Sequence, residues 1–172
     1  MFFNRIKAKS SQRLLTTVLN SRNKEFNLEK IQSVGIIFDY NNFQDYDFFK
    51  LMFTDLGLST NRLRFIAMID SENIRPNSWD VFYTKNDFDW LGHSKNMDID
   101  EFVDIPFDLL LSYYKPNIYE LNIVTAMSKA NFKVGLSAQD KRLHDLILEI
   151  EPEETPTFRV ELIKYLKTLN KI

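Results

Sequence analysis

Two rhythms of apolar residues run through this chain. "VGIIF" (Val34 to Phe38) and "RLRFIAMID" (Arg62 to Asp70) are short, nearly continuous apolar runs, the pattern of strands covered on both faces. "WDVFYT" alternates and reads as a hairpin-like partner strand after the polar "SENIRPNS". "DLLLSYY" (Asp108 to Tyr114), "FKVGL" (Phe132 to Leu136) and "HDLILEI" (His144 to Ile150) predict further strands. Between these runs the spacing turns helical. Phe48, Leu51, Met52 and Leu56 sit at i, i+3, i+4 and i+8, opened by Asp45 and stopped by Gly57. Ile118, Leu121, Val124 and Ser128 share a second helical face behind Pro116 and Asn117. Phe158, Leu162, Tyr165, Leu166 and Leu169 define a third. Thr155 and Pro156 supply its cap and first-turn proline, and Lys164, Lys167 and Lys171 complement its negative end.

The leading segment, "MFFNRIKAKSSQRLLTTVLNSRNK", is helical in spacing without one clean stripe. Phe2, Phe3 and Ile6 cluster on one side, and Leu14, Leu15, Val18 and Leu19 on another. It is either two short helices, the second capped by Ser10 or Ser11, or one helix whose apolar face shifts. "NSRNKEFN" reads as a connector, and "KNDFDWLGHSKNMDIDEFVDIPF" shows no long periodic segment. The order α, βα, ββ, βα, ββ, α predicts a three-layer, Rossmann-like α/β sandwich with a mixed, mostly parallel sheet and an N-terminal helical arm. Residues 1–24 form the arm and 32–172 a single domain.

Composition narrows the chemistry. Fifteen Phe and seven Tyr predict an aromatic core, and 172 residues suffice to bury one without staples. Cysteine is absent, which excludes disulfides, thiolate catalysis and Cys-ligated metal sites. No apolar run reaches the roughly 18 residues of a membrane span, and bases interrupt the start where a secretory signal needs an unbroken apolar core. The expected location is cytoplasmic.

Charge is unevenly placed. The arm holds six bases (Arg5, Lys7, Lys9, Arg13, Arg22 and Lys24), while all 24 acidic residues lie beyond it. Such a segment suits RNA or the ribosome, where it would neutralise phosphates while the acidic body stays clear. Phe2, Phe3 and Ile6 among the bases also allow an anionic membrane surface, a weaker fit because the apolar face is broken. The leucines allow docking on the protein's own domain. The acidic stretch from Asp87 to Asp108 (Asp87, Asp89, Asp98, Asp100, Glu101, Asp104 and Asp108) is a solvated face, or a docking surface for a basic protein partner or the arm itself.

Catalytic motifs are sparse. Gly35, Gly57, Gly92 and Gly135 are the whole glycine supply and form no phosphate-cradling pattern, so no nucleotide cofactor is expected. "GLSAQD" (Gly135 to Asp140) is half a nucleophile elbow, with Gln139 where the second glycine belongs. Asp39 and Asp70 each end a buried apolar run, where a parallel sheet opens its ligand crevice, and are the candidate catalytic pair. Aspartate also ends strands simply by accepting nearby backbone N–H groups. His93 and His144 have no metal-ligand spacing, and His144, opening a strand, is expected at the surface or an edge.

"KNDFDWLG", "PFDLLLSYY", "SKANFKVGLSAQDKRLHDLILEI" and "ELIKYLKTLNKI", with the basic start "MFFNRIKAK", resemble a family of small uncharacterised bacterial proteins of the Bacteroidetes type. That resemblance implies no activity and transfers no site. "FDLLLSYY…AMSKANFKVGL" is in part similar to the N-terminal Rossmann-like half of heptosyltransferase-type glycosyltransferases, which implies the fold. The expected function is non-enzymatic binding, with RNA or the ribosome met by the arm. The alternative is a small Rossmann-like enzyme, or a remnant glycosyltransferase-like domain, using Asp39 and Asp70 at the sheet's carboxyl edge.

Overall fold

The computed structural model describes residues 2–22, 29–71, 81–115, 117–136 and 140–172, with side chains from Lys9 onward. In chain order its elements are α1 (Phe2–Ser21), β1 (Val34–Asp39), α2 (Tyr46–Asp55), β2 (Leu63–Met68), β3 (Val81–Tyr83), α3 (Met97–Asp104), β4 (Leu109–Tyr113), α4 (Tyr119–Met127), β5 (Phe132–Gly135), β6 (Leu146–Ile147) and α5 (Thr155–Thr168). The described strands form one sheet in the order β3-β2-β1-β4-β5-β6. Every pairing is parallel, which carries the expected mixed sheet to an all-parallel one. The order reverses between β1 and β4, the switch point of a Rossmann-like sheet.

Strand alternation sorts the core into two layers. Val34, Ile36 and Phe38 of β1 face one side, with Phe49, Met52 and Phe53 of α2 and Phe158, Leu162 and Leu166 of α5. Ile37 faces the other, with Leu15 and Leu19 of α1, Ile99, Phe102 and Val103 of α3, and Leu121, Ile123 and Val124 of α4. The first layer carries the aromatic excess: Tyr113 stacks edge-on against Phe43, Phe49 and Phe158 at centroid distances of 4.8–5.0 Å. β1 is wholly buried, and Gly35 is fixed by crowding, since a Cβ there would stand 2.7 Å from the Phe107 ring.

Several expectations change in detail. The arm is one helix. The face of α2 is turned by one residue: Phe49, Met52 and Phe53 are buried, while Leu51 is exposed. Asp45 caps α2 by accepting the Phe48 N–H, and Gly57, at φ +86°, ends it. β3 pairs parallel to β2 and is not a hairpin partner. α3 arises inside the acidic stretch, capped by Asn96 accepting from the Asp98 N–H. "HDLILEI" contributes only the two residues of β6. α5 starts behind Glu154, which makes no side-chain cap bond, and keeps Tyr165 and Leu169 partly exposed. Asn170, at φ +54°, turns the chain so that the Lys171 N–H bonds the Leu166 carbonyl. Most of "NSRNKEFN" and "SENIRPNS", together with Pro116, lies outside the described residues.

Candidate functional site

A cleft of about 300 Å³ opens at the carboxyl ends of β4 and β5, roofed by α1. Gln12, Leu15 and Leu19 of α1 line it, with Ser112 and Tyr114 from β4, Asn122 from α4, and Leu136, Asp140, Leu143 and His144 after β5. Leu15 and Leu19 are one helical turn apart and buried, so they seat α1 on α4 and the sheet. Ser11 is buried beside Tyr119, whose hydroxyl donates to the Gly92 carbonyl. Leu136, Asp140, Leu143 and His144 supply the floor.

His144 is the most distinctive group in the cleft. It is 5% exposed, and neither ring nitrogen has a hydrogen-bond partner among the described residues. Buried polar groups are nearly always paired, so the exception calls for a cause. Burial first, then the nearby Lys133 and Arg22 charges, lower its pKa to about 3 against the opposing pull of Asp145. The ring is therefore neutral at physiological pH, offering one N–H and one lone pair.

Lys133, Arg22 and Asp145 lie close enough to act on the ring. Lys133 is fully buried, and its ammonium group donates to the carbonyls of Thr125 and Ala126, the negative end of α4. Burial foremost, then Arg22, lowers its pKa to about 7, while Asp145 raises it. Arg22, just past α1, pairs with Asp145 at 2.5 Å, with both side chains under 10% exposed. Asp145 also accepts the Lys133 backbone N–H. At the rim, Arg142 grips Asp140 through Nε and Nη2 and reaches Asn20 of α1. That grip holds the Asp140 carboxyl below its ordinary value. Inside, Ser112 and Tyr114 share hydrogen bonds with the Thr125 hydroxyl, and Tyr114 also reaches the Leu121 carbonyl.

The residues singled out in the sequence are scattered. Asp39 is 3% exposed; its carboxylate accepts from the Asn41 backbone and side chain and from the Asn42 side chain, closing its own turn. Asp70 is exposed beyond β2, and among the described residues no group of three acids or histidines could hold a metal. Of the arm bases, Lys9 and Arg13 are exposed and Arg22 is half-buried, its side chain covered in the ion pair. The side chains of Arg5 and Lys7, and all of Lys24, lie outside the described residues, as does Ser137 of "GLSAQD".

In the acidic stretch, Asp87 and Asp89 close local turns, Asp108 accepts from Gln32 and Ser33, and Asp104 pairs with Lys129. His144 corrects the expectation of a surface or edge histidine: it belongs to a connection folded beneath α1, not to a strand. Lys133 was missed altogether. Its signal was present, because a lysine inside a four-residue strand covered on both faces must reach a helix end or a partner.

No described helix is long and apolar enough to cross a membrane. Comparison with curated proteins and with solved structures gave no match. A model of a family of unknown function, DUF6913, matches residues 4–169, and the chain belongs to that family.

Proposed function

We propose that the protein works by holding a small polar molecule in the cleft beneath α1 rather than by turning one over. The observation that carries this reading is His144, buried on the cleft wall with both nitrogens unpartnered among the described residues. Both nitrogens are closed to solvent, so a ligand that shifts the ring and bonds it would offset the desolvation it carries. The carboxyl ends of parallel strands are also where such sheets take ligands. An imidazole with a pKa near 3 is a poor general base at neutral pH, and the neighbouring hydroxyls already bond one another. The enzyme alternative would need Asp39 and Asp70 to act together. Asp39's engagement with Asn41 and Asn42 counts against it. A cytoplasmic setting, a Bacteroidetes-type origin and the partial likeness to heptosyltransferase-type halves belong to this proposal and add no site.

A thermal-shift screen of small metabolites against the full chain tests the reading. We expect at least one compound to raise Tm in the native protein and not in Gln12→Trp, which caps the cleft mouth from α1. A shift that survives in Gln12→Trp would place the binding elsewhere.

A second reading rests on Lys9 and Arg13, exposed one turn apart on α1. They would give salt-dependent contact with RNA or the ribosome. Lys9→Glu with Arg13→Glu should then flatten the salt dependence of RNA co-sedimentation by roughly 1–2 units of slope. An unchanged slope would remove α1 as the contact.

A further inference from the structure

We infer that the molecule taken by this cleft is uncharged and presents a donor and an acceptor side by side, as a polyol or a primary carboxamide does. The inference rests on the cleft being a binding site and concerns what that site selects.

The ionic groups around the cleft are already engaged. Asp140 is the one carboxylate among the described lining residues, and Arg142 holds both of its oxygens. Behind the lining, Arg22 is paired with Asp145, and the Lys133 ammonium points at the end of α4. A phosphate or carboxylate entering the cleft would meet Asp140, with no cation among the described lining residues to receive it. An ammonium would meet a carboxylate already neutralised, with Arg22 and Lys133 close enough to His144 to depress its pKa. Either ion would lose its hydration without a partner.

Neutral groups meet the opposite situation. The amides of Gln12 and Asn122 each offer a donor and an acceptor, and the His144 ring, whose nitrogens are closed to solvent, adds its own pair for a molecule that shifts the ring. Leu15, Leu19, Leu136 and Leu143 supply aliphatic walls between them. Paired donor and acceptor edges separated by apolar surface complement a ring or chain bearing neighbouring hydroxyls, or a carboxamide edge.

Imidazole NMR on the full chain tests this directly, because His93 and His144 are the only histidines and a His93→Gln variant assigns them. The probes are glucose, myo-inositol and nicotinamide, set against glucose 6-phosphate and putrescine at matched millimolar concentration. We expect a neutral probe to move the His144 signals saturably, leave His93 in place, and bind about fivefold to tenfold more weakly to Asn122→Ala. Glucose 6-phosphate or putrescine moving His144 while every neutral probe leaves it unmoved would overturn the selectivity and keep the binding site. No movement with any of the five would overturn both.

Discussion

The imidazole of His144 occupies the space a side chain at Gly135 would need: a Cβ there would stand 2.3 Å from its Cε1 and 2.5 Å from each ring nitrogen. Gly135→Ala must push the ring off β5, and the cleft gives it somewhere to go. We expect a cost of about 1–3 kcal/mol and loss of ligand binding, because the displaced ring fills the site. Gly35→Ala meets Phe107 at 2.7 Å and Leu110 at 3.0 Å inside closed core, so it should cost more. Urea unfolding of both variants checks the order; Gly135→Ala proving the costlier would mean His144 has no room to yield.

Neutral burial of His144 makes the fold sensitive to acid. Its folded pKa of about 3 lies below the ordinary 6.5, so the unfolded chain binds the extra proton first. The stabilisation is complete above pH 6.5 and drains away as the pH falls toward 3. Lys133 and Arg22 act in the same direction as burial, and Asp145 against it. Between pH 7 and pH 5 the native chain should lose about 2 kcal/mol more than His144→Gln. Parallel denaturation curves for the two proteins across that interval would contradict the burial.

Strands buried on both faces left plain sequence signals, and β1, β2, β4 and β5 fall where their apolar runs stand. α3 was hidden because its eight residues, "MDIDEFVD", alternate acids with apolar positions over barely two turns. The carboxylates were misleading for a related reason. Asp39 sits at the strand end that suggested chemistry, yet the same position lets it close a turn with Asn41 and Asn42. The cleft itself had no local pattern. It arises where α1, α4 and the β5–β6 connection meet, so its lining is drawn from segments more than 100 residues apart. Periodicity reports which face of an element is covered, and says nothing of which distant element covers it.

Lys133 reverses the usual role of a surface lysine and gives the fold a second pH dependence. With a folded pKa of about 7 against an ordinary 10.5, its contribution is complete above 10.5 and lost as the pH falls through 7. Raising the pH from 7 to 9 should therefore stabilise the native chain by about 2 kcal/mol relative to Lys133→Met. The buried tyrosines Tyr83, Tyr113 and Tyr114, whose pKa values are raised mainly by burial, stay protonated throughout that range. Thermal unfolding at the two pH values decides the matter, and equal gains in both proteins would show that Lys133 stays charged when buried.

Arg22 and Asp145 join the end of α1 to the connection that carries His144. Their 2.5 Å pair is backed by longer bonds from Arg22 to the carbonyls of Arg142 and Leu143, and by the Lys133 N–H on Asp145. Breaking one side leaves a buried charge without its partner, so Arg22→Ala and Asp145→Asn should each cost about 3–5 kcal/mol. The double variant should cost clearly less than the two together, since neither charge is then stranded. The pair also latches the roof of the cleft. In Arg22→Ala the amides of residues 9–21 should exchange faster than in the native chain while those of α5 keep their rates. Equal protection of α1 in both proteins would mean that Leu15 and Leu19 hold the helix by themselves and that the ion pair serves only the β5–β6 connection.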